Sequence, residues 1–358
     1  MKTEERLRLI KEVGEEILTE EELRILLENK KKILAYDGFE PSGKLHIAQG
    51  VLRTINVNKM IQAGVDYKLL VADWFAWINN KVGGDLDKIQ TVGKYQIEVW
   101  KACGMDLDHV EFVWSHSIMN KGEYWKRVVS IARMNSVKRI LRCSQIMGRS
   151  EDENLSAAQI FYPCMQCSDI FELGVDIAQL GMDQRKVNVL AREIAPQLGY
   201  KKPLVVSHHM LMGLSAPPET TLSGSERAIA LKMSKSMPDS AIFMTDSEEE
   251  IIRKIKKAYC PEKIIKDNPI MEYCKYLVFE KYPRMIIERP AKFGGSLELN
   301  NYKELEQEYV QGKLHPMDLK IAVSQYLDSM INPVRKHFEK NKKAARLLEE
   351  VQSFEVTR

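Results

Sequence analysis

Ile33-Leu34-Ala35-Tyr36-Asp37-Gly38-Phe39-Glu40-Pro41-Ser42-Gly43-Lys44-Leu45-His46 holds a short apolar run, a Gly/Pro/Ser turn and then a histidine that opens an amphipathic stretch. That order reads as strand, loop and helix, with the helix running to about Ala63 and stopped by Gly64. The loop nearly matches a phosphate-binding P-loop. Leu45 stands where a hydroxyl should hold magnesium, however, and Pro41 removes a backbone donor, so a true P-loop is set aside. His46 is the stronger candidate: free amides and the helix dipole favour an anion there, and an imidazole adds a donor. An ordinary surface or core histidine is the plain alternative. The weighting changes with Lys232-Met233-Ser234-Lys235-Ser236, where two lysines three apart among small residues can reach two phosphates of one triphosphate.

Around these segments the pattern is α/β. Ile33–Tyr36, Lys68–Ala72, Val110–Trp114, Val175–Ala178 and Leu204–Ser207 are short apolar runs alternating with helical stretches. They predict a Rossmann-like, five-stranded parallel sheet with helices on both faces, binding ligands at the carboxyl ends of its strands. Residues 1–30 read as two helices, with Ile10, Val13 and Ile17 on one stripe and Thr19/Glu22 capping the second. The catalytic domain is expected over 31–214, with a helical insertion at about 116–165. A linker carrying the lysine loop follows at 215–246. Beyond Asp246 the strands stop, and 247–358 reads as a separate α-helical domain opened by a Ser247/Glu250 cap.

The 358 residues suit two domains, and 44% apolar content argues against extensive disorder. A net charge of +3 confines any nucleic-acid contact to local patches. No secretory signal and no membrane-spanning run is visible, so a cytoplasmic protein without a membrane partner is expected. Six scattered cysteines suit a reducing compartment; Cys164 and Cys167 form a C-x-x-C pair inside an apparent helix, which favours packing over metal binding.

The two phosphate-binding segments together resemble the motifs of class I aminoacyl-tRNA synthetases, and within that class the tyrosyl-tRNA synthetases of the archaeal and eukaryotic type. Gly38–Gly43, Tyr162-Pro163-Cys164-Met165-Gln166, Asp169, Gly181-Met182-Asp183-Gln184-Arg185-Lys186, Arg289–Gly295 and His315–Lys320 carry the likeness, over about residues 20–335. One departure is His46-Ile47-Ala48-Gln49, where the second histidine of the motif is replaced by Gln49, a donor that carries no charge.

The resemblance implies a tyrosine–tRNA ligase working with ATP as substrate and magnesium on the pyrophosphate, with no protein carboxylate standing out as metal ligand. Tyr36 and Asp169 would hold the tyrosine hydroxyl, while Tyr162, Gln166 and Gln184 would take its ammonium. ATP would meet Gly38, Glu40, His46 and the loop of Lys232, Met233, Ser234, Lys235 and Ser236; His46, Gln49, Lys232 and Lys235 would serve catalysis. For tRNA(Tyr), Arg185 and Lys186 would meet the acceptor end, and Phe293, His315 and Asp318 the anticodon. The insertion would form a homodimer interface. Without the family, Tyr162 and Gln166 read equally well as helix packing. The rivals are tryptophanyl-tRNA synthetase, a small-molecule nucleotidyltransferase, and a catalytically silent RNA-binding or signalling protein of the same fold.

Overall fold

The computed structural model describes residues 1–147, 154–218, 224–233 and 237–354. Its main sheet has six strands in the order β1-β6-β5-β2-β3-β4, with β1 Gly14–Leu18, β2 Ile33–Phe39, β3 Val65–Val71, β4 Val110–Trp114, β5 Ile177–Ala178 and β6 Leu204–His208. All five predicted strands are present and parallel. The chain runs from β2 outward through β3 and β4, then returns to the other side of β2 for β5 and β6. The loops after β2 and β5 therefore diverge in opposite directions and open a crevice at their carboxyl ends.

The sixth strand corrects the reading of residues 1–30. The first helix ends at Val13, and Gly14–Leu18 turns into a strand antiparallel to β6, pairing Ile17 with Val206 and Leu18 with Val205. Glu15, Glu16 and Leu18 are competent helix formers; the open edge of β6 decides their conformation, not local propensity. Thr19 does cap the next helix, accepting from the Glu22 amide.

The helix after His46 begins with a widened π turn, Ala48–Leu52, before regular α geometry over Arg53–Gln62. Among the described residues of 116–165 the helices are Ser115–Met119, Gly122–Arg133, Val137–Cys143 and the start of Ala157–Glu172. Every residue from Tyr162 to Phe171 is buried, so Cys164 and Cys167 pack in the core; burial pushes the Cys164 thiol up to about 12. Beyond Ser247, whose capping box with Glu250 is present, helices Glu248–Lys257 and Pro316–Lys340 pack together. The expectation that strands end at Asp246 is corrected by a small antiparallel hairpin, β7 Met285–Ile287 with β8 Leu297–Leu299.

Candidate active site

At the crevice β2 supplies Tyr36, 1% exposed and in register with Ala178 of β5. Across from it, the buried helix Ala157–Glu172 presents Tyr162, Gln166 and Asp169, spaced four and three apart and so on one face. Asp169 is wholly buried. Its Oδ1 accepts a hydrogen bond from the Tyr124 hydroxyl at 2.7 Å, while Oδ2 has no partner among the described residues. Burial raises the Asp169 carboxyl well above its usual range, with Tyr124 and then Arg127 opposing. Burial, then the carboxylates of Asp169 and Asp37, keeps the Tyr36 phenol protonated. An orphaned buried carboxylate oxygen beside a phenol is costly until a donor reaches it. Tyr124, from the insertion, was given no role by sequence reasoning. Nothing local marks it, because it meets Asp169 only through the fold.

The ammonium candidates come together in part. Gln166 donates to Gln184 Oε1 at 3.1 Å, joining the helix to the loop after β5. The Tyr162 hydroxyl donates to Glu40 Oε1 at 2.6 Å, and its ring packs edge-on against Phe75. Asn79 donates to the same Glu40 oxygen at 2.9 Å. Tyr162 thus links the two predicted subsites, and its oxygen keeps lone pairs to accept with.

On the ATP side, an alanine Cβ at Gly38 would meet Leu70 at an ordinary 3.6 Å, so the protein itself does not demand glycine there. His46 is half-buried at the start of its helix and forms an antiparallel bridge with Phe243. Gln49 is fixed through its carbonyl, which accepts from Trp100 Nε1 at 2.8 Å, while its Oε1 has no partner among the described residues. Lys232 pairs with Asp183 Oδ2 at 2.9 Å, and that carboxylate, with a smaller contribution from Glu40, holds its ammonium above the usual value. Met233 is buried. Ser234, Lys235 and Ser236 lie outside the described residues.

A buried cluster under the crevice was not foreseen. Arg53, 2% exposed, donates to Gln179 at 2.6 Å, pairs with Asp37 at 2.6 Å and contacts His208 at 2.8 Å. It ties the ends of β2, β5 and β6 together. Burial lifts Asp37 to about 6 despite the guanidinium beside it.

The predicted RNA residues are spread over the surface. Arg185 is held by Glu16 of β1 at 2.7 Å, and Lys186 follows it on the same helix. Phe293 is 58% exposed, with Lys292 over its ring and Gly294 turning left-handed behind it. His315 caps the long helix, its Nδ1 accepting from the Met317 amide at 3.1 Å, which occupies one of its two ring nitrogens. Asp318 lies in that helix's first turn. Arg289, unassigned from sequence, donates to Gly295 O and Lys313 O and so brings the Phe293 turn beside the His315 turn.

Residues 28–332 match the family model of class I tRNA synthetases (W and Y). The chain belongs to the class I tRNA synthetases. This synthetase is 51% identical to the cytoplasmic tyrosine–tRNA ligase 1 of Arabidopsis thaliana, over 99% of its own length and 90% of the relative's. It superposes on a Pyrococcus horikoshii tyrosyl-tRNA synthetase complexed with L-tyrosine at a TM-score of 0.90, with 39% identity, covering 98% of this chain and all of that one. A Leishmania major tyrosyl-tRNA synthetase in complex with tyrosinol gives 0.89 and 45% identity; this synthetase covers 99% of itself and 52% of that longer chain.

Proposed function

We propose that the protein is a tyrosine–tRNA ligase that joins tyrosine to ATP as tyrosyl-adenylate, releasing pyrophosphate, and then transfers tyrosyl to the 3′ end of tRNA(Tyr). The observation that carries this is Asp169, with one carboxylate oxygen satisfied by Tyr124, the other orphaned, and the Tyr36 phenol nearby. A substrate phenol completes that arrangement as donor to Asp169 and acceptor from Tyr36. Indole has one donor and no acceptor, and phenylalanine leaves Asp169 Oδ2 without a donor. Sites of this kind discriminate by about 10⁴–10⁵-fold without an editing domain.

The substrate carboxylate is already a nucleophile, so the first step needs no general base. It needs alignment and neutralisation of charge on the α-phosphate. In this reading His46 and Lys232, with Lys235, would supply that neutralisation, and Gln49 adds a neutral donor. Asp183 holds Lys232 until phosphate oxygens compete for it. Gln166, Gln184 and the Tyr162 oxygen would receive the ammonium. Magnesium, when bound, would neutralise pyrophosphate.

The helical part from 247 is assigned to the anticodon, with Phe293 as stacking platform and Asp318 as base-edge acceptor, while Arg185 and Lys186 face the acceptor end. A homodimer through the insertion is supported by exposed Trp125, Val129 and Val137. A cytoplasmic location is supported by six free cysteines and the Arabidopsis relative's name. No described helix is long and apolar enough to cross a membrane. The test is tRNA-independent exchange of pyrophosphate into ATP across the twenty amino acids. Exchange with tyrosine alone is expected. Exchange with tryptophan would overturn the pocket, and none from folded protein would favour a silent RNA-binding role.

A further inference from the structure

The segment after the lysine loop is held by an unusual buried cation. Lys254, on the helix Glu248–Lys257, is 4% exposed; its ammonium donates to Asp246 Oδ2 at 2.6 Å and to Ala241 O at 3.0 Å, and lies 4.9 Å over the Phe243 ring. Asp246 Oδ2 also accepts from the Phe243 amide at 2.9 Å. One side chain thus fixes both ends of 241–246. A buried cation with this many partners is held in one geometry, because any shift leaves a charge unpaired.

What that strap touches gives it meaning. Ile242 O accepts from the Ile47 amide at 2.8 Å, and the Met244 amide donates to Leu45 O at 2.9 Å, so His46 sits in a backbone bridge with Phe243. Met244 also fills the space beside Gly50, where an added Cβ would lie 2.5 Å from its sulfur. At its other end, Ser240 O accepts from the Leu214 amide at 2.9 Å, while Gly213 accepts the incoming limb of the loop, donating to Leu231 O at 2.8 Å. The strap is therefore bonded to the backbone flanking His46 and, by way of Ser240 and the Gly213-Leu214 segment, linked to the foot of the loop carrying Lys232.

We infer that Lys254 is a positioning residue for amino-acid activation: through Asp246 and Ala241 it sets the placement of His46 against the foot of the lysine loop. The residue lies outside the crevice and acts on the α-phosphate step only through the strap. The inference rests on reading the site as amino-acid-activating. It separates from a role in stability alone because the tyrosine pocket, on β2 and the helix Ala157–Glu172, makes no use of the strap.

The test compares Lys254→Met, Asp246→Asn and the double variant in the full chain by tyrosine-dependent pyrophosphate exchange, by tyrosine binding without ATP, and by melting. Misplacing a reacting group by about 1 Å costs up to about 100-fold. The expected result is a fall in exchange kcat of about 10–100-fold in each single variant, tyrosine affinity within about two-fold of native, and a double variant no worse than the worse single one. Arg253→Met, on the same helix as Lys254, removes an exposed pair with Asp239 of the preceding turn and is expected to keep native kcat. Native kcat in folded Lys254→Met and Asp246→Asn overturns the inference, as does a parallel loss of tyrosine affinity and kcat. Should Lys254→Met fail to fold, Asp246→Asn decides alone. If the native protein exchanges with no amino acid, the activity reading falls by itself. The strap is then judged by the His46 ring resonance, which Lys254→Met must displace and Arg253→Met must not.

Discussion

Asp169 shows how one buried group organises a specificity site. Its carboxylate is held by Tyr124, which comes from a different helix and carries no motif; Asp169 itself was singled out by the family resemblance, and a charge inside a buried helix face needs a partner. Tyr124→Phe removes a hydrogen bond to a charged acceptor in ground and transition states alike. It is expected to raise the tyrosine KM by about 10–100-fold with kcat little changed, as steady-state exchange kinetics will show. The pH dependence has a definite sign. Tyr124 lowers a carboxyl that burial raises, so its loss raises that pKa further, and the acid limb of tyrosine binding moves to higher pH in Tyr124→Phe. Lys232→Gln removes charge from the phosphate side instead. There kcat is expected to fall about 10²–10³-fold while tyrosine affinity, measured without ATP, stays native.

Among elements, those with strong period and long apolar runs were legible: the five parallel strands, the buried helix and the capped helix at Ser247. The two missed strand pairs were not, because β1 and the β7–β8 hairpin are short and gain stability only from a partner strand. Packing between elements is tight where Gly93 of the helix Leu86–Ala102 meets the sheet; a Cβ there would lie 2.7 Å from both the Trp114 ring and Val71. Gly93→Ala is expected to cost about 1–3 kcal/mol in denaturant unfolding despite its better helix propensity. A second contact joins β1, the end of β6 and the helix Pro269–Tyr273. His209 lies between Glu15 and Glu272, 3.0 Å from each, and stacks on Tyr276 near Lys275. Against burial, the two carboxylates raise its pKa to about 9. A raised histidine pKa contributes stability that is complete below about 6.5 and lost as pH climbs through about 9, at most about 3 kcal/mol. Thermal melts of the native protein are expected to fall over that range, and those of His209→Gln to lack that component.

For the whole molecule, the insertion leaves Trp125 and Val129 exposed on one helix and Val137 on the next, 37%, 56% and 63% accessible. If this patch is the proposed dimer interface, Val129→Asp is expected to sediment as monomer where the native protein sediments as dimer, without altering the melting of the protomer. The same view explains why the site was more legible than its supports. Motif residues sit at strand ends and loops, where few residue types will do, whereas Tyr124, Arg53 and Lys254 reach their partners only once distant segments are folded together.

The first strand bears on where this chain can be shortened. The span shared with the family model starts at residue 28, beyond β1, and invites trimming there. Yet β1 covers the long side of β6, and it carries acidic Glu15 and Glu16 with a register shift between Gly14 and Glu16, features that make a poor template for a further strand. Removing it would leave Leu204–His208, an apolar run, with unsatisfied amides and carbonyls facing solvent. A chain begun at the shared span would be prone to self-association through that uncovered strand, so the first nineteen or so residues act as a built-in guard against aggregation.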